Sequence, residues 1–416
     1  RIKMNVISAQ LEKRKRMGGW LTENESMLAS FRDEIANRTK VCQLELFPVI
    51  RDLEAFINAN PIIRMYFTQA IEQAVKAGFH LGYENINELI CCINEIMIYA
   101  PPFSTSELVG CPLNALLDWL MCMPAGFALF RLPELNIQLK RVLNFWCYFL
   151  KSPKSRTYLN ETQPDGWFNP DAIPRTLMPQ FVCDPTAPYW GFSSWNDFFT
   201  RRFKEGERPI AEPDNTKVIV NPCESTPYNI KYNVKLQDNF WIKTQPYSLQ
   251  DIFSIYGIHW ARQFNGGMIY QAFLSAYNYH RWHSPVSGTL VDAYHVDGTY
   301  YSDATSEGVD PAGPNDSQGY ISSVASRVVL IIQCHDPVIQ TVACVFVGMG
   351  EISSCIIERK IGEYIQKGEE LGYFQYGGST YCIIFKAGVI RSFVPKMPFK
   401  PDAAPIPVNS HLATAN

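Results

Sequence analysis

The chain has 416 residues, 47% of them hydrophobic and 13% aromatic, with 37 basic and 40 acidic side chains for a net charge of −3. That length and apolar content suit two or three packed domains, and so even a charge balance excludes a molecule-wide field that would draw in nucleic acid or an anionic membrane, which leaves a small molecule as the expected partner. The 12 cysteines include no C-x-x-C pair, and Cys91-Cys92 are adjacent, a usage that points to reduced, mostly buried thiols of a cytoplasmic chain and not to a zinc site or a disulfide framework.

Residues 1–43 read as a loosely ordered lead-in. Arg1 to Gln10 is polar and has no apolar signal core, the missing initiator Met suggests a trimmed chain, and Lys13-Arg14-Lys15-Arg16 reads as a solvated charge run. From 44 to 151 the apolar period is helical. Val49, Leu53, Phe56 and Ile57 form one stripe and Ile86, Leu89, Ile90, Ile93, Ile96 and Met97 another, with Pro61, Pro101-Pro102 and Pro133 as punctuation. The most apolar stretch, Cys111 to Phe130, contains Asp118, Pro124 and Gly126, so it is expected in a core and not across a bilayer. Residues 152–212 form a connector rich in Pro, Asp, Trp and Tyr, where Ser194 is placed to cap a short helix ahead of Arg201-Arg202.

Beyond Pro213 the period becomes two. Lys217–Asn221, Gly267–Ala272, Gly288–Ala293, Ser326–Gln333, Thr341–Val347, Ile352–Glu358 and Leu371–Gln375 are strand candidates within a mainly β unit spanning 213–396. Gly298 to Gly319 reads as a long active-site loop or a disordered insert, and 397–416 as a Pro-rich tail. The expected class is α+β, an all-helical N-terminal domain followed by a mainly antiparallel β domain.

Two motifs carry chemistry. Gly377-Gly378 precedes Ser379-Thr380 and an apolar run to Phe385. A Gly-Gly β-hairpin turn explains that pattern. So does self-processing: attack of the Ser379 hydroxyl on the Gly378 carbonyl gives an ester, β-elimination cuts the chain, and loss of ammonia leaves a pyruvoyl group on residue 379. The second motif, Tyr277 to Gly288, sets His280 and His283 three residues apart just before Pro285. Imidazoles suit proton transfer near neutral pH. A zinc site and a purely structural pair are the alternatives, and no cysteine stands at ligand spacing.

Tyr279-His280-Arg281-Trp282-His283-Ser284-Pro285, the upstream Phe198-Phe199-Thr200-Arg201 and the Gly378-Ser379-Thr380 site occur in the order found in the phosphatidylserine decarboxylase family, which residues 190–395 resemble. The resemblance implies cleavage between Gly378 and Ser379, a pyruvoyl cofactor from Ser379 in place of pyridoxal phosphate, no metal, and two fragments, 1–378 and 379–416, that stay associated. It implies a self-processing role for His283 with His280 beside it. The family's processing triad includes an aspartate; here Pro222-Cys223-Glu224-Ser225 puts Glu224 at that place.

Pro188-Tyr189-Trp190-Gly191-Phe192, Asp197-Phe198-Phe199 and Gly348-Met349 followed by Glu351-Ile352-Ser353 are similar to a fungal, soluble subgroup that acts on L-tryptophan. The expected activity is therefore pyruvoyl-dependent decarboxylation of an aromatic L-amino acid, L-tryptophan to tryptamine. A phosphatidylserine decarboxylase and an unprocessed binding protein are the alternatives.

Overall fold

The computed structural model describes residues 25–105, 110–241, 245–304, 317–351, 354–400 and 403–416. The basic run at 13–16 and most of the Gly298 to Gly319 loop lie outside them. The chain forms two compact units, one containing Arg1–Met178, Cys183–Phe198 and Thr299–Ser317, the other Pro179–Val182, Phe199–Gly298 and Gln318–Asn416. This division is not the linear one expected from composition. Residues 179–182 join the second unit through a Phe181–Phe203 bridge, and 299–317 return to the first, where the Tyr300 amide donates to Asn136 Oδ1 at 3.1 Å.

The first unit is helical: α1 (Glu25–Cys42), α2 (Pro48–Ala59), α3 (Pro61–Lys76), α4 (Ile86–Ile96), α5 (Pro112–Met121), α6 (Pro124–Leu129) and α7 (Pro133–Leu150). Pro61 and Pro133 each start a helix, at the position where a missing N–H costs nothing. The expected stripes are buried along Val49, Leu53 and Ile57 and along Leu89, Ile90, Ile93 and Ile96. The Cys111 to Phe130 stretch becomes α5 and α6, with every residue of α5 buried.

Residues 25–42, expected to be loose, form α1 instead. It is anchored by the fully buried Arg32, whose Nε donates to Ala115 O at 2.8 Å and Nη1 to His80 O at 3.2 Å. A side chain at Gly82, where φ is +82°, would stand 2.9 Å from Arg32 O, so that approach requires glycine. Short helices follow at α8 (Ala172–Thr176) and α9 (Trp195–Phe199). Ser194 caps the latter as expected, its Oγ accepting from the Asp197 amide at 3.0 Å.

The second unit holds β1 (Val218–Val220), β2 (Thr226–Lys231), α10 (Leu249–Phe253), α11 (Ile258–Gln263), β3 (Met268–Leu274), β4 (Arg281–His283), β5 (Gly288–Val296), α12 (Gln318–Val324), β6 (Arg327–Cys334), β7 (Thr341–Gly348), β8 (Ser354–Ile357), β9 (Tyr364–Ile365), β10 (Glu370–Gln375), β11 (Ser379–Phe385), β12 (Ile390–Phe393) and β13 (His411–Ala415). They build a seven-stranded sheet in the order β2-β3-β11-β7-β6-β5-β9 and two three-stranded sheets, β4-β10-β8 and β1-β13-β12. The pairings are antiparallel. The fold is thus α+β. Strands β7 and β11 are buried at every position, which explains their nearly unbroken apolar runs.

Two expectations change here. The tail at 397–416 carries β13, the middle strand between β1 and β12. Gly377-Gly378 is no hairpin turn either: β10 pairs with β4 and β8, β11 with β3 and β7, so the chain crosses from one sheet to another at 376–378. Among the described residues no helix is long and apolar enough to cross a membrane.

Candidate active site

Ser379 opens β11, opposite Leu274 of β3 and Gly348 of β7. The sheet crossing before it is made possible by Gly377, whose φ of 85° lies in the left-handed region. Ser379 is fully buried, and among the described residues its Oγ has no hydrogen-bond partner. An unpaired buried hydroxyl is costly in a folded chain, and this one lies directly after the glycine crossing.

His280 is also fully buried. Its carbonyl accepts from the Phe374 amide at 3.1 Å, and its ring stacks on Phe199 with centroids 4.0 Å apart, while Phe199 meets Tyr376 at 5.2 Å. Both contacts place His280 level with the strand end that leads into Gly378. His280 Nε2 is 3.4 Å from Ala276 O, a long donor contact that leaves Nδ1 as the acceptor, and Nδ1 has no partner among the described residues. Burial, assisted by the charge of Arg201, lowers the His280 pKa to about 3, so the imidazole is neutral.

His283 ends β4, opposite Glu370 at the far end of β10. Its Nδ1 sits 2.7 Å from Gly368 O and its Nε2 2.7 Å from the Tyr279 hydroxyl. The carbonyl can only accept, so Nδ1 carries the proton and Nε2 accepts from Tyr279. Burial holds the His283 pKa below its ordinary value, against the opposing pull of the Gly368 carbonyl and Glu370. Gly368 itself has φ of +87°, and its neighbour Lys367 donates Nζ to the carbonyls of Glu212, Asn215 and Val218 at 2.8, 3.0 and 3.0 Å, which fixes this turn.

Glu224 is buried and engaged with other groups. Arg208 reaches it with Nη2 at 2.6 Å and Nε at 3.0 Å, and the Val408 amide donates to Oε2 at 2.7 Å. The structure therefore brings His280, and not His283, to the segment before Ser379, and no hydrogen bond joins Glu224 to either histidine. On His283 Glu224 acts only through space, as the last of the influences that oppose the lowering.

Three contacts tie the two upstream motifs together. Arg281 Nε donates to Thr200 O at 2.8 Å, Arg201 Nη2 donates to Tyr277 O at 2.7 Å, and Phe199 covers His280. Sequence reasoning singled out this Phe-Phe-Thr-Arg segment but gave Phe199 and Arg201 no task. Gly368 and Lys367 went unnoticed because a backbone carbonyl leaves no residue-type signature.

Comparison with known proteins identifies the family. The phosphatidylserine decarboxylase family model matches residues 195–398, and a second model of that description matches 47–176. The L-tryptophan decarboxylase of Psilocybe cubensis is 33% identical over 392 residues, 88% of this chain and 87% of its own. The decarboxylase iboD of Amanita muscaria is 37% identical over 321 residues, 72% of this chain and 91% of its own. The phosphatidylserine decarboxylase proenzyme 3 of Schizosaccharomyces pombe is 30% identical over 203 residues, 49% of this chain and 20% of its own. With both units covered by such relatives, the chain belongs to the phosphatidylserine decarboxylase family and is a carboxy-lyase.

Proposed function

We propose that this protein decarboxylates an aromatic L-amino acid, L-tryptophan to tryptamine, with a pyruvoyl group formed from its own Ser379. The observation that carries the reading is the buried, unpartnered Ser379 hydroxyl at the end of a glycine crossing between two sheets. A group that needs no side-chain partner of its own fits that position. Once formed, it supplies an electron-accepting keto amide at the head of β11.

The chain's own residues have two tasks. In self-processing, the Ser379 hydroxyl attacks the Gly378 carbonyl and the amide becomes an ester. Loss of the Ser379 α-proton then expels the Gly378 carboxylate, and water replaces the α-nitrogen, which departs as ammonia. His280, neutral and with a free Nδ1 lone pair, is the base for the hydroxyl proton. His283, held between Tyr279 and Gly368, keeps β4 and the turn at 368 in register with it. In the second task, Phe199 and the buried strand ends exclude water around the reacting atoms.

The substrate assignment rests on coverage. The Psilocybe L-tryptophan decarboxylase aligns with 88% of the chain, helical unit included, whereas the Schizosaccharomyces phosphatidylserine enzyme aligns with 49%. Intact mass of purified protein, followed by incubation with L-tryptophan or with phosphatidylserine vesicles, tests both parts. Two fragments, 1–378 and 379–416, with carbon dioxide and tryptamine from tryptophan are expected. A permanently single chain would sink the cofactor reading, and turnover of the lipid alone would reassign the substrate.

A further inference from the structure

Thr380 follows Ser379 and points to the opposite face of β11, into a polar cluster that the reaction above does not use. Its hydroxyl is within donating distance of Ala272 O at 2.9 Å and Gln318 Oε1 at 2.7 Å, and accepts from Gln271 Nε2 at 3.1 Å. Gln271 Nε2 also reaches Gln318 O and Ser322 Oγ, both at 3.0 Å, and Gln271 Oε1 accepts from the Tyr247 hydroxyl at 2.6 Å. Thr380, Gln271, Gln318 and Ser322 are each buried. The cluster spans β3, β11 and the start of α12. A fully connected polar group of this kind in an otherwise apolar sheet specifies one arrangement of the strands around it.

Its position gives it a task. Before cleavage, residue 379 is held covalently from both sides. Afterwards it is a chain end, and chain ends fray unless tied down. The side chain of residue 379 offers no anchor, since its oxygen has left with the Gly378 carboxylate and a methyl group remains. A shift of about 1 Å at a reacting atom is enough to cost about a hundredfold in rate.

We propose that Thr380, clamped by Gln318 and Gln271, is the positioning residue that fixes the carbonyl at residue 379 after the chain has been cut. This rests on the pyruvoyl reading given above. Before cleavage the intact backbone also restrains the same atoms, so removal of the clamp weighs on turnover more than on maturation.

The test compares wild type, Thr380→Val, Thr380→Ser and Gln318→Ala. Each is scored for fragment yield, carbonyl capture by phenylhydrazine, hydrogen exchange at the amides of 380–384, and kcat and KM on the amino acid. Thr380→Val is expected to mature and to capture the reagent as wild type does. Its amides should exchange about tenfold faster and its kcat fall about tenfold, with KM within about twofold. Thr380→Ser, which keeps the hydroxyl, should behave as wild type. Gln318→Ala removes the acceptor and carries the same expectation as Thr380→Val, so the test stands even where Thr380→Val remains uncut. Exchange and kcat within about twofold of wild type in the matured variants, or a Ser variant as impaired as the Val variant, would overturn the proposal. Absence of capture in wild type would overturn the pyruvoyl reading with it, whereas capture with unaltered variants removes the clamp alone.

Discussion

The Phe199 ring lies almost flat on the His280 imidazole, 12° from parallel with centroids 4.0 Å apart. Burial, assisted by the charge of Arg201, keeps the ring uncharged, with a pKa of about 3. A free histidine near 6.5 would lose half of its basic form at that pH, whereas His280 keeps it throughout. Self-cleavage of freshly made protein should therefore show no acid limb between pH 5 and pH 8. A rate that halves near pH 6.5 would remove His280 from the role of base.

The same depression makes a stability statement. The unfolded chain binds a proton at this site below about pH 6.5 and the folded chain does not, so its contribution is complete above that value and declines as pH falls toward 3, by about 1.4 kcal/mol per unit. Urea midpoints measured from pH 7 to pH 4 should fall less steeply in His280→Phe than in wild type. Parallel curves would contradict it.

Ser379→Ala is expected to stay a single chain with no carbonyl to capture, while folding as wild type, because it deletes only an unpartnered hydroxyl. Cleavage in this variant would move the processing site to another residue.

Glu224 holds Arg208 and the Val408 amide. Glu224→Gln leaves a partly buried guanidinium without its counter-charge and should cost about 2 kcal/mol of stability. Its cleavage rate at a temperature well below unfolding should remain within about threefold of wild type. A triad acid would instead lose several orders of magnitude, and a loss of that size would place Glu224 in the processing machinery.

In the helical unit, Arg32→Met strands the Ala115 and His80 carbonyls that the guanidinium now satisfies. A destabilisation of about 2–4 kcal/mol is expected, read from denaturant unfolding. A change within experimental error would mean that α1 is held by its apolar face alone.

Much of the fold was legible because burial imposes a period on the sequence. The strands at 288–296, 327–334 and 341–348 and the helix stripes at 49–57 and 86–97 follow from apolar spacing alone. β13 was hidden because Pro405 and Pro407 stand just before it and its alternation spans only five residues. α1 was hidden because its short apolar stripe, Leu28, Phe31 and Ile35, stands among charged residues, one of which, Arg32, is itself buried. The site residues were readable as types but not as partners. His280 and His283 differ by three positions in sequence, yet antiparallel pairing sets one beside Phe374 and the other opposite Glu370. Only the register of β4 on β10 separates their roles.

The last strands of the chain have a consequence for the life of the molecule. Residues 379–416 supply the third strand of the seven-stranded sheet and the central strand of another, so this segment is flanked on both edges in two places. Such a piece acts as a keystone and not as a detachable cap. On the proposed cleavage after Gly378, a prosthetic group carried at its head could not be renewed by exchange with fresh peptide, as a diffusible coenzyme would be. One wrong turn of its chemistry would retire the whole polypeptide, and replacement would require new synthesis.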